Sequence, residues 1–177
     1  MLILFGLMYS IPLPKIKGKN IPAISTLLHF ATALLVFLLG SITYSVINDR
    51  ALLIGSYLGL IISAGHMVQE VQDYEGDRLS GDWTNAVRFG PRPVFIFSFL
   101  LFSLSFVFLF WLTRIGFLPS IIRFTLLLYP VYIFESINAY QAGLSRNIIK
   151  NFRKRYRLLF ALIMAIIVAS VSFERFF

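Results

Sequence analysis

Glu70, Asp73, Glu75 and Asp77 place four carboxylates within eight positions of a chain whose formal net charge is +8. The cluster closes an apolar run long enough to cross a bilayer, where charge costs free energy unless something offsets it. If the helix ending near Gln69 continues for two more turns, residues three and four apart share a face. Glu70, Asp73 and Asp77 then form one stripe, Glu75 points elsewhere, and Gly81 ends the helix. Carboxylates so arranged repel one another unless a cation lies between them. Hard divalent cations take oxygen ligands, and Mg²⁺ usually binds one or two carboxylates together with substrate phosphates. The spacing therefore predicts Mg²⁺ held against a diphosphate, with Gly76 giving a bulky ligand access to the backbone. The same spacing also fits a solvated interfacial loop whose carboxylates pair with Arg78, Arg88 and Arg92.

Long apolar helices must position this stripe. Of the 177 residues, 58% are hydrophobic and only 14% charged, and the mean hydropathy is +0.82. Soluble domains carry about a quarter charged residues, so the composition implies an integral membrane protein. Five runs approach the roughly 20 residues a spanning helix needs: 22–47, 51–69, 93–113, 118–139 and 158–173. A polar loop, Glu70–Arg92, joins the second to the third. Membrane barrels would show alternating polarity in short segments; these runs are continuously apolar, so the fold is all-α. The apolar segment Met1–Tyr9 is too short to span and lacks a basic n-region, and it reads as the tail of a further helix. Residues 1–177 read as a single membrane domain.

Basic residues orient the helices. Lys15, Lys17, Lys19, Arg78, Arg88, Arg92 and the group from Arg146 to Arg157 fall on one side and outnumber Arg50, Arg114, Arg123 and Arg175 on the other. The positive-inside rule places the first group, and the acidic stripe with it, in the cytoplasm. This distribution accounts for the net charge without nucleic acid as a partner. Cysteine is absent, which excludes disulfides, thiolate metal sites and cysteine nucleophiles.

The segment Gln69–Gly90, QEVQDYEGDRLSGDWTNAVRFG, resembles the second Asp-rich region of the UbiA superfamily of intramembrane prenyltransferases. The match runs through Asp73-x-x-x-Asp77, Gly76-Asp77-Arg78, Gly81, Thr84 and Arg88-Phe89-Gly90. Tyr9-Ser10-Ile11-Pro12-Leu13-Pro14-Lys15-Ile16-Lys17 is similar to the segment that follows the family's fourth helix. The resemblance implies that the chain supplies helices five to nine of a nine-helix bundle. It implies transfer of a prenyl group from a prenyl diphosphate to a lipophilic acceptor, with Mg²⁺ as cofactor. Asp73 and Asp77 carry over as catalytic metal ligands, with Glu70 as a further ligand. Lys17, Tyr9, Ser10 and Arg78 carry over as substrate contacts. The family's first motif, Asn-x-x-x-Asp-x-x-x-Asp, is not in the sequence. The expectations are a partial product, an enzyme completed by a second chain, or a remnant that keeps the fold without the chemistry. A terpene cyclase of the same superfamily is a further alternative, and a small cation transporter ranks last.

Other polar residues in apolar runs are weighed against plainer roles. Glu135 either faces a polar cavity or marks the end of its helix. His66 lies one turn before Glu70 and lines the same cavity more readily than His29. The run Phe95–Phe110 offers aromatics for a carbocation, although most are expected to meet lipid or neighbouring helices. Arg153–Arg157 reads as an anchor on anionic headgroups.

Overall fold

The computed structural model describes residues 23–44 and 48–174. Among them are α1 (Ile24–Tyr44), α2 (Asp49–Ser80), α3 (Asn85–Phe89), α4 (Pro91–Arg114), a 3₁₀ helix (Ser120–Leu128), α5 (Tyr129–Gln141) and α6 (Arg146–Glu174). No described residue lies in a strand. Four stretches are long and apolar enough to cross a membrane: Ile24–Thr43, Asp49–Ser80, Pro91–Arg114 and Ser120–Gln141. They correspond to the first four predicted runs.

Helix α2 runs well past the predicted end at Gln69, so most of the expected polar loop is helical. Asn48 caps its start by accepting the Ala51 N–H at 2.9 Å, as short polar side chains do for unpaired first-turn donors. Gly81 stops it with φ 73°. The Asp82 N–H reaches the Asp77 carbonyl at 2.9 Å and the Gly81 N–H reaches that of Arg78 at 3.4 Å. This is the paired Schellman arrangement that a left-handed residue permits. The fourth predicted run is also rebuilt: a 3₁₀ helix precedes α5, and Pro130 sits in the first turn of α5. Proline is tolerated there because its missing N–H has no helical partner to lose. Helix α6 starts well before the predicted Leu158. Its first half draws helix propensity from its Lys and Arg residues and buries Ile149, Phe152 and Tyr156 along one side.

The chain divides into two units, with the boundary after Phe102, inside α4. In the first unit, α1 packs along a stripe of small residues on α2. A Cβ on Gly55 would lie 2.7 Å from Leu34 Cδ1, and one on Gly59 would lie 2.7 Å from Phe30 Cδ2. Ser63 continues the stripe and donates to the Thr26 carbonyl at 3.2 Å. Small residues at this spacing let membrane helices approach closely, where packing rather than water drives association. Gly59→Leu is therefore expected to lower stability by about 1–3 kcal/mol, read as a lower thermal unfolding midpoint in detergent. An unchanged midpoint would refute this contact. On another face of α2, Ser98 of α4 donates to the Ala64 carbonyl at 2.9 Å.

In the second unit, Tyr132 is buried among Phe106, Tyr129 and Phe152, with ring centroids 6.2–6.4 Å away. Tyr129 donates its hydroxyl to Ser103 at 2.9 Å. Glu135 accepts from Arg155 at 2.5 Å. That partner settles Glu135 as half of an ion pair whose arginine is 62% exposed, and such exposed pairs contribute little.

Candidate functional site

The predicted acidic stripe forms on the last three turns of α2. Glu70 is buried, Asp73 and Asp77 are half-buried, and Glu75 and Arg78 are exposed. Asp73 and Asp77 are one turn apart, so they are neighbours on the helix surface. Gln72 donates to Asp73 Oδ1 at 3.3 Å. A Cβ on Gly76 would meet nothing within 4 Å, so the backbone beside the aspartates is open. Asp77 lies in the final turn, where unpaired carbonyls give the helix end partial negative charge. Carboxylates there are disfavoured and a cation is favoured. Trp83 and Leu79 are 60% and 88% exposed beside this end, and exposed tryptophan is common at membrane–water boundaries.

Beneath the aspartates lies a polar network centred on Asn85. Its Nδ2, with two hydrogens to donate, lies 3.1 Å from Glu70 Oε1, 3.2 Å from Ser25 Oγ and 3.3 Å from Thr26 Oγ1. Its Oδ1 accepts the Ala23 N–H at 2.8 Å, and Ala23 itself has φ 66°, a conformation unusual outside glycine. Ser25 donates to Glu70 Oε1 at 3.3 Å. His66 Nδ1 lies 3.7 Å from the same oxygen, and His29 stacks on His66 with ring centroids 3.6 Å apart. Glu70 is only 4% exposed, and its Oε2 is buried without a hydrogen-bond partner among the described residues. The start of α1, the last turns of α2 and the short α3 that follows it are thus joined at one carboxylate.

The structure brings Glu70, Asp73 and Asp77 onto one helix end, with His66 against Glu70 as the spacing suggested. Among the described residues, no three His, Cys, Asp or Glu side chains converge on a point where a metal ion could sit. Arg78, Arg88 and Arg92 make no ion pair with a carboxylate among these residues. Tyr9, Ser10 and Lys17 lie outside the described residues. Asn85 and Ser25 are the residues that sequence reasoning missed. Asn85 falls within the Gln69–Gly90 match, but nothing in its spacing links it to Ser25 in the preceding membrane helix.

Helices without strands among the described residues, four of the stretches long and apolar enough to cross a membrane, define an integral membrane protein of the all-α class. The chain matches the family model of the UbiA prenyltransferase family over residues 1–163. It belongs to that family. No curated protein and no solved structure matches it.

Proposed function

We propose that the protein transfers a prenyl group from a prenyl diphosphate to a lipophilic acceptor within the membrane, with Mg²⁺ as cofactor. Asp73 and Asp77 carry this reading: two half-buried carboxylates, one turn apart at the negative end of α2, in a chain of this family. The donor set fits the metal, because Mg²⁺ takes one or two carboxylates and completes its shell with phosphate and water. Asp73 and Asp77 would hold it. A Mg²⁺ ion held there would supply charge neutralisation for the diphosphate leaving group. The residues of the chain do the rest. The Gly81 cap fixes where the acidic turn ends, and the open backbone at Gly76 leaves room for the diphosphate. Glu70 holds α1 and α3 to α2 through Oε1, which leaves Oε2 as the oxygen that can turn toward a cation. Arg78, exposed one residue beyond Asp77, is the proposed diphosphate contact, and the family resemblance assigns Lys17 to the diphosphate and Tyr9 and Ser10 to the acceptor. The weight of basic residues supports a cytoplasmic side for this end of α2.

A second reading is favoured by one observation: among the described residues no three His, Cys, Asp or Glu side chains converge on a point where a metal ion could sit. On that reading the chain binds prenyl diphosphate without turning it over. One assay separates the two. Purified protein in vesicles is supplied with radiolabelled geranylgeranyl diphosphate and a panel of quinol, phenolic and isoprenoid acceptors. Transfer that is lost with EDTA and restored by Mg²⁺ supports the enzyme. Mg²⁺-dependent retention of label without product supports the binding protein. Absence of both transfer and Mg²⁺-dependent retention would sink both readings.

A further inference from the structure

The first half of α6 holds Arg146, Lys150, Arg153, Lys154, Arg155 and Arg157, and the helix has no carboxylate before Glu174. At about 100° per residue, Arg146, Lys150, Lys154 and Arg157 fall within roughly 80° of arc, and all four are exposed. Ile149, Phe152 and Tyr156 are buried on another side, centred about 130° away. Arg153 is half-buried between the two. Arg155 lies about 140° from the centre of the basic stripe and pairs with Glu135. The helix therefore splits the sequence run Arg153–Arg157. Arg155 leaves it, and Arg146 and Lys150 line up with Lys154 and Arg157.

The stripe needs a counter-charge from outside. None of its four cations has a carboxylate partner among the described residues. The first turn of α6 has no acidic residue, and the partial positive charge of a helix start disfavours Arg146 there. Helix stability thus does not account for the stripe.

Beyond Arg157 the exposed surface of α6 changes character. No residue from Leu158 to Phe173 is charged, and Leu158, Leu162 and Val168 are 71%, 50% and 60% exposed. In an integral membrane protein such side chains belong in hydrocarbon, so the apolar boundary falls between Arg157 and Leu158. At 1.5 Å per residue, Lys154 and Arg157 stand within about 5 Å of it, Lys150 at about 11 Å and Arg146 at about 17 Å. The headgroup layer is roughly 5–8 Å deep on each side of a bilayer. Two stripe cations therefore sit at the depth of lipid phosphates, where a soluble acidic macromolecule does not reach.

We propose that this stripe is a binding surface for anionic phospholipid headgroups. Lys154 and Arg157 meet the phosphates directly, and Lys150 and Arg146 add an attraction that fades over a Debye length of about 8 Å. The surface is built by α6 and does not depend on catalysis.

The test places a fluorophore at the boundary. Leu158→Trp is made with Trp83→Phe and Trp111→Phe, and the full chain is reconstituted in phosphatidylcholine vesicles containing phosphatidylglycerol, with either lipid brominated high in its chains. Quenching should show phosphatidylglycerol favoured beside Leu158→Trp by about fivefold or more, since each cation near an anionic surface contributes roughly that factor. The preference should shrink in 1 M salt, where screening shortens to about 3 Å. This salt arm reads the stripe charge without further substitution. Lys154→Gln with Arg157→Gln should bring the ratio close to one, with the helical circular dichroism unchanged. Glu135→Gln with Arg155→Gln removes no net charge and should leave the preference in place. Equal quenching by both lipids would overturn the proposal and leave the stripe to a soluble acidic partner. A preference that survives Lys154→Gln with Arg157→Gln, or that vanishes with the Glu135–Arg155 pair, would also overturn it. Relief of quenching by micromolar geranylgeranyl diphosphate would overturn it by assigning the stripe to the substrate.

Discussion

Asp73→Asn is expected to lower prenyl transfer by about two to three orders of magnitude, the scale seen when one preorganised electrostatic group is removed. The substitution keeps size and hydrogen bonding and deletes one negative charge. Asp73 is half-buried and its described contact is the amide of Gln72, so an asparagine there disturbs little of the fold. The deficit should therefore fall on turnover and on Mg²⁺ dependence, with the unfolding midpoint nearly unchanged. Asp77→Asn should lower turnover alike. Near-normal turnover in Asp73→Asn, measured as radiolabelled product at saturating Mg²⁺, would count decisively against the metal role. Lost turnover with a collapsed midpoint would show only that the fold had failed.

Much of this site was legible in the sequence because it is local. The spacing of Glu70, Asp73 and Asp77 fixes a common face once α2 is allowed to continue, and Gly81 marks where it must stop. The apolar runs gave four of the helices for the same reason, since length and hydropathy are properties of contiguous residues. What could not be read is what depends on partners far along the chain. Asn85 looks like an ordinary loop residue until Ser25, Thr26 and Glu70 are brought to it from two other segments. The two histidines are similar: His66 is placed near Glu70 by helical spacing, but its stacking on His29 requires the register of α1 on α2. That register is set by Gly55 and Gly59, whose missing side chains leave room that no periodicity argument measures. Pro130 was visible, yet whether it breaks a helix or begins one depends on the turn before it.

The second large effect lies in that network. Asn85→Ala is expected to destabilise the protein by about 3 kcal/mol or more, because a buried carboxylate loses its amide donor and the Ala23 N–H loses its acceptor. At roughly 2–4 °C per kcal/mol for a chain of this length, the thermal midpoint in detergent should fall by about 6–12 °C. The size of the loss comes less from the bonds removed than from Glu70 remaining behind. Ser25 at 3.3 Å would be the nearest hydrogen-bond donor left to it. Removing both partners should then be milder than removing one, and Asn85→Leu combined with Glu70→Leu should recover most of the midpoint. Losses that simply add would show that the two side chains are not coupled. Glu70→Gln separates stability from metal binding. Its amide oxygen can still accept from Asn85 and Ser25, so the midpoint should stay near that of the unaltered protein. A rise in the Mg²⁺ concentration needed for half-maximal transfer would then assign Oε2 to the cation. An unchanged requirement would confine Glu70 to holding α1 and α3 beneath Asp73 and Asp77.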